Sequence, residues 1–436
     1  MNGVGFPKMC STACLTTCLL VVAGCGGIGS AETAPPVVVE TARSSAVRVL
    51  DPQVPADDAV TLAADNAAFA FAAYAKLKTG TDNLVVSPAS ISIALAMTYA
   101  GAAGDTATEM AAALHFSLPP ERLHPAFDAL DLALATRGEG ALGTDGGPMR
   151  LRMVNAVWAE KTYVLRGDYL DTLAANYGAG VNLLDFIGAP EPSRLLINAW
   201  VAQQTEDKIT NLLSNGDIDA STRLVLTNAV YFNAAWEFPF PPENTRDGHF
   251  TRLDGSQVTA KIMTNLCQMS AVATPDVKAI VLPYQDQRLS LLVVVPEPDK
   301  FEQVEASLDG TWLATLISGL IRQNAYYQIP RFKVDTNAPV KDALIAMGMK
   351  AAFAPSLADF SGIDGTRSLF LAAVRHKAFI AVGEKGTEAA AATGAMLAGG
   401  VPPISVIANR PFFYFLRDEP TGALLFMGRV MDPTAQ

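Results

Sequence analysis

Four histidines, His115, His124, His249 and His376, are the residues with which this 436-residue chain could do acid-base or metal chemistry. No two of them stand at a metal-ligand spacing, and no HExxH stretch is present. Residues 78–80 read KTG, a motif that serves acyl-transfer enzymes with a Ser-x-x-Lys nucleophile, yet no serine here has a lysine three positions on. There is no GxSxG elbow. The lone GxGxxG, residues 138–143, lies in a polar stretch without a preceding strand, so it reads as a loop rather than a phosphate cradle. Dispersed residues can still form a triad, but nothing in the pattern assembles one. The chain is therefore expected to be no enzyme and to carry no metal and no cofactor.

What remains is residues 384–403, EKGTEAAAATGAMLAGGVPP, which has neither the polarity of a surface loop nor the bulk of a buried helix. Its TEAAAA has high helix propensity, and one reading is a short surface helix ended by Gly394. As a strand, it would place Thr387, Ala389, Ala391, Thr393, Ala395 and Leu397 on one face. Glu388, Ala390, Ala392, Gly394, Met396 and Ala398 would take the other. The first face is small and uncharged, so such a strand could slide between two strands of a sheet with Glu388 left outside. Hydrogen bonds of about 0.5–1.5 kcal/mol net barely offset about 1–2 kcal/mol per residue for ordering the backbone. Relief of strain and burial of the small side chains must supply the rest.

The elements that would hold such a strand follow from periodicity. Ala-rich stretches in the first third, AADNAAFAFAAYAKL, ASISIALAMTYAGAAG and TATEMAAALHF, repeat apolar residues at helical spacing. Later come short β-branched or aromatic runs bounded by turn residues: LRMVNAVWAE, TRLVLTNAVYFN, KAIVLPY, LSLLVVVPE, YYQIPRFKVD, KAFIAVGE, FFYFLRD and ALLFMGRV. Helices first and strands after predict an α+β fold with large, mainly antiparallel sheets. Half the residues are hydrophobic and the net charge is -11, which supports a large core and argues against nucleic-acid binding.

Of five cysteines, only Cys267 lies in the body, where it is expected as a small buried group rather than a reactive thiol. The start carries one charge, Lys8, a short apolar region and small residues, as an export signal does. Residues 22–25, VAGC, resemble the bacterial lipobox. Residues 1–24 are thus expected to be a lipoprotein signal, with Cys25 lipidated, and the protein exported as a cell-envelope lipoprotein or to the outside. Residues 25–59, with four prolines and few large apolar groups, predict a flexible tether. A single domain over 60–436 follows, because no linker divides it.

These segments resemble, in number and order, those of the serpin family. From about Leu62 to Pro433 the likeness is carried by NLVVSPASISIALAMTYAGAAGDTATEM, INAWV, TEDKITNLL, LVLTNAVYFNAAWEFPF, IPRFKV, ADFSGI, VRHKAFIAVGEKGTEAAAAT, RPFFYFLRD and LLFMGRVMDP. The resemblance implies N-terminal helices packed on large sheets with an exposed reactive-centre loop. It also implies a monomeric suicide inhibitor of serine and also cysteine proteases, of elastase-like or subtilisin-like specificity. Some relatives are instead non-inhibitory binding modules, a reading less suited to a hinge of Thr and Ala.

Carried over by position, the hinge comprises Glu384, Gly386, Thr387, Ala389, Ala390, Ala391, Ala392 and Thr393. The reactive bond falls between Gly400 and Val401, with Leu397 and Ala398 as the alternative. Glu384 is expected to pair with Arg331 beside a buried Trp236 where the sheet first opens. Ser87, Ser90, Asn228 and His376 match the polar cluster over which the strands separate.

Overall fold

The computed structural model describes residues 39–387 and 404–435. Helix α1 (Ala56–Leu77) carries Asp57 and Asp58 in its first turn and Lys76 in its last, complementing the helix dipole. It buries Leu62, Phe69, Ala73 and Leu77 at helical spacing. Helix α2 (Pro88–Tyr99) starts with proline at its first turn and is buried along its whole length except Tyr99. The helices α3 (Gly104–Ala113), α4 (Pro120–Ala135), α5 (Gly167–Tyr177) and α6 (Pro190–Gln204) complete the N-terminal half. Four shorter ones, Phe301–Ser307, Gly310–Ser318, Val340–Ala346 and Ser361–Asp364, are spaced among the later strands.

The strands are β1 (Thr41–Ala42), β2 (Leu84–Val86), β3 (Arg150–Glu160), β4 (Val181–Leu184), β5 (Leu224–Ala235), β6 (Arg246–Thr251), β7 (Gln257–Ala273) and β8 (Val277–Pro283). They continue as β9 (Leu289–Pro296), β10 (Ile321–Pro330), β11 (Phe332–Ala338), β12 (Leu371–Gly383), β13 (Gly386–Thr387), β14 (Ile404–Ile407), β15 (Phe412–Asp418) and β16 (Leu424–Val430). They form two sheets. A seven-stranded one runs β1-β4-β3-β5-β13-β12-β11, and a nine-stranded one runs β14-β10-β7-β8-β9-β15-β16-β2 with β6 on β7. Pairing is mainly antiparallel; β3 with β4, β5 with β12 and β10 with β14 are parallel.

The main core lies between the helices and both sheets. A second, smaller core joins Val154 and Trp158 of β3, Ile197 and Val201 of α6, Val225 and Ala229 of β5 and Ala373 of β12. It includes Ile209, Leu212, Leu213 and Ile218 from the chain that follows α6.

Two expectations need correction. The tether expected over residues 25–59 is, from residue 39 on, part of the folded body. β1 pairs with Val181 and Asn182 of β4, and Val49 N–H donates to Ala175 O at 2.9 Å. The Arg48 guanidinium bonds Asp128 at 2.8 Å and Asp131 at 2.6 Å, and α1 starts at Ala56 rather than near Val60. Composition indicates how much apolar area a segment can bury; it is silent on an edge strand and on a cation that compensates a buried carboxylate. The run YYQIPRFKVD is likewise two strands in different sheets, β10 ending at Pro330 and β11 starting at Phe332. Arg331 N–H still donates to Lys261 O at 2.8 Å in the β10–β7 register, and Phe332 is already in the other sheet, opposite Val382.

Candidate functional site

The seven-stranded sheet is closed at one end of its β5–β12 seam and open at the other. Along the closed part, Leu224–Val230 pair in parallel with Leu371–Ala378. Above it the strands diverge, and β13 lies between them, antiparallel to both. Gly386 stands opposite Ala235 and Gly383, and Thr387 opposite Ala234 and Val382. A Cβ at Gly386 would sit 2.0 Å from Ala234 O, so only glycine passes here.

The open end is lined by apolar and polar groups that hold the turn into β13. Thr387 is buried, its hydroxyl 2.7 Å from Tyr284 Oη. Tyr284 stacks on Trp236 with ring centroids 4.4 Å apart. Trp236 Nε1 donates to Gly383 O at 2.9 Å and its backbone N–H to Lys385 O at 2.6 Å, while Phe240 N–H donates to Glu384 O at 2.8 Å. Burial would push the Glu384 carboxyl up. The Arg331 guanidinium, with Nε at 2.8 and 2.9 Å from its two oxygens, and the Thr245 hydroxyl at 2.7 Å outweigh that and hold it below its ordinary value. Glu384 is only 4% exposed, so this is no free surface ion pair. Sequence reasoning brought Glu384, Arg331 and Trp236 together; it missed Thr245 and Tyr284, which carry no periodic signal.

The closed part of the seam contains the polar cluster. His376 Nε2 accepts from Ser87 N–H at 3.0 Å, so Nδ1 carries the proton and donates to Asn228 Oδ1. Asn228 Nδ2 donates to Ser90 Oγ and Asn155 Oδ1, and Ser90 Oγ donates to Asn155 Oδ1 at 3.0 Å. In register, Asn155, Asn228 and His376 form one row across β3, β5 and β12. Burial lowers His376 to about 3, so the ring is neutral. Asn155 was missed. As one polar residue inside LRMVNAVWAE, it looked like an ordinary outward position of a strand.

Thr387 is the last described residue of this stretch in the seven-stranded sheet, and the described chain resumes at Ile404 in the nine-stranded one, where β14 pairs in parallel with Ala325–Gln328. Ala389, Ala390, Ala391, Ala392, Thr393, Leu397, Ala398, Gly400, Val401 and Cys25 lie outside the described residues. Cys267 is half-buried rather than buried, with Sγ 3.3 Å from Tyr327 Oη, and burial pushes its thiol up. His124 is buried against Tyr177 at 2.8 Å, and burial lowers it to about 4. Among the described residues, no group of three acidic, histidine or cysteine side chains could hold a metal. No described helix is long and apolar enough to cross a membrane.

A sheet held half open by the start of its own loop defines a class of protein, and comparisons with known proteins agree on which. The family model for serpins, serine protease inhibitors, matches residues 64–433. An uncharacterized serpin-like protein of Thermococcus kodakarensis is 36% identical over 370 residues, 84% of each chain. The leukocyte elastase inhibitor of Bos taurus is 36% identical over 363 residues, 80% of this chain and 93% of the relative. The crystal structure of a thermophilic serpin, tengpin, in the native state superposes with a TM-score of 0.79 at 25% identity, covering 90% of this chain and all of that one. The chain belongs to the serpin family.

Proposed function

We propose that the protein is an irreversible inhibitor of serine proteases, and of cysteine proteases that form the same acyl-enzyme, which it traps by inserting its own cleaved loop into the seven-stranded sheet. The observation that carries this is β13, two residues already seated between β5 and β12 and aligned to continue downward. The protease nucleophile attacks a carbonyl within residues 388–403, the amine on its C-terminal side leaves, and the N-terminal part of the loop stays esterified to the enzyme. That part zips down the seam. About 15 residues at about 3.3 Å each carry the enzyme roughly 50 Å, and the pull on its active site stalls deacylation.

The drive is legible in the pairing. β5 and β12 form a parallel ladder, and an inserted strand in the register of β13 replaces it with two antiparallel ones, the more stable kind per residue. The row His376–Asn228 has to part in the process. We assign the cleaved bond to Gly400–Val401, with Leu397–Ala398 as the second choice. Small residues at the first bond suit a shallow specificity pocket, in keeping with the elastase named for the bovine relative. We further read residues 1–24 as an export signal and Cys25 as the lipidated anchor.

Incubation with a panel of serine and cysteine proteases tests this. An SDS-resistant adduct and a released peptide beginning at Val401 are expected. Thr387→Arg, which would drive a guanidinium into a buried position, is expected to abolish the adduct and leave a cleaved substrate. Cleavage without adduct in the unaltered protein would overturn the reading.

A further inference from the structure

The two strands that part are also tied together from outside the sheet. Between α6 and β5, residues 205–223 cross its outer face, and their four buried apolar side chains pack in the second core with residues of both β5 and β12. The last turn before β5 is held to itself. Asp219 Oδ1 accepts from Ser221 N–H at 2.8 Å, and Asp219 N–H donates to Thr222 Oγ1 at 3.0 Å. From this turn the Asp217 carboxylate reaches the guanidinium of Arg375 on β12. Asp217 is anchored in turn by Ser214 N–H at 2.7 Å. Arg375 stands in register with Thr227 of β5. Its Nε is buried without an acceptor among the described residues, which leaves Asp217 as its compensating carboxylate. Two positions on, Lys377 pairs instead with Asp335 of β11, on the side of the seam that moves with β12.

We propose that Asp217 and Arg375 form a staple across the seam, an ion pair that resists admission of the loop at mid-depth. The inference rests on the insertion mechanism above. One end of the staple belongs to the covalent lead-in of β5 and the other to β12, so it spans the gap that must widen. An added strand takes β12 from about 4.8 Å to about 9.6 Å from β5, beyond the reach of a contact ion pair unless the covering turn is pulled away. The depth follows from register. If the register of β13 continued past Thr387 in the inserted state, the seventh further residue, Gly394, would come opposite both Thr227 and Arg375, themselves paired. Roughly half of the small-residue run can enter before the staple has to part, so the hinge can seat without committing the molecule.

Full-length protein is mixed with a synthetic peptide of residues 388–399, and its uptake is followed by tryptophan fluorescence and by the rise in unfolding temperature. Asp217→Asn and Arg375→Gln are each expected to take up the peptide about tenfold faster, the effect of lowering a barrier by one partly buried ion pair. The double variant should be no faster than either. Added salt should speed the unaltered protein and not the variants. The peptide-filled forms should all unfold at one temperature, because the staple is already parted there. Unchanged uptake rates, or peptide-filled variants weakened as much as the free ones, would overturn the staple and reduce the pair to ordinary stabilisation. If the unaltered protein takes up no peptide at all, the insertion mechanism itself fails, an outcome read without any variant.

Discussion

At the scale of single residues, the seam is guarded by a neutral histidine. His376 accepts a hydrogen bond on Nε2 from Ser87 N–H and gives one from Nδ1 to Asn228. Protonating Nε2 would set two donors against each other, which is why burial without a nearby carboxylate takes the ring to about 3. Its ordinary value is 6.5, so between about pH 6.5 and 3 the unfolded chain takes up a proton that the folded chain refuses. Stability is therefore lost as pH falls through that window, by about 1.4 kcal/mol per pH unit for one such group. His124, lowered to about 4, adds to the slope down to that value. Glu384, held below its ordinary value, contributes only under about pH 4.5, where its unfolded form begins to protonate. Urea unfolding at pH 7, 6 and 5 is expected to show a falling free energy, and His376→Gln should remove about half of the slope. An unchanged slope in that variant would refute the assignment.

At the scale of elements, the open end of the sheet depends on one turn between β12 and β13, and Arg331 is the side chain that neutralises it. The carboxylate it holds is almost fully buried, whereas Arg331 itself is half exposed. Removing the cation leaves Glu384 with neutral donors only, the Thr245 hydroxyl and its own backbone N–H. Arg331→Ala is expected to cost about 1–3 kcal/mol in the intact protein, the penalty of an under-compensated buried group. It should also release the turn, seen as faster cleavage within residues 388–403 by a non-target protease. The elements themselves were legible to different degrees. α1 shows in the sequence by its helical spacing, and α2, β5, β9, β15 and β16, buried almost throughout, show as largely apolar runs. β7 does not. Its 17 residues pair with β10 along one edge and with β6 and then β8 along the other, and its burial alternates irregularly. Glu384, Gly386, Thr387, Trp236 and Arg331 could be placed side by side from the sequence because the family spaces them along one chain. Asn155, Thr245, Tyr284 and the Asp217–Arg375 pair matter through partners far away in sequence, which neither period nor local motif encodes.

At the scale of the whole molecule, the proposed mechanism requires the fold to hold a better-paired state in reserve. Seven register pairs join β5 and β12 in parallel, and among the described residues two, Gly386 and Thr387, take the antiparallel alternative. Filling the seam with about ten more residues adds a ladder on each edge, with a net gain of about 1 kcal/mol per bond made beyond those lost. Ordering the backbone takes back much of this, and burial of Ala and Thr side chains on the inner face returns some. Those contributions roughly cancel, so relief of strain in the open sheet has to supply the net gain; about 5–10 kcal/mol of it corresponds to about 15–30 °C in unfolding temperature. A single cut within residues 388–403 should therefore raise the melting temperature by that amount while leaving the two fragments associated, the reverse of what a break does to an ordinary domain. Scanning calorimetry of intact and nicked protein reads it directly. The rise should vanish in Gly386→Val, whose side chain would collide with Ala234 O and keep the strand from seating. A nicked protein that melts no higher than the intact one would mean that the open seam is a static feature, and that the sheet stores nothing for a protease to release.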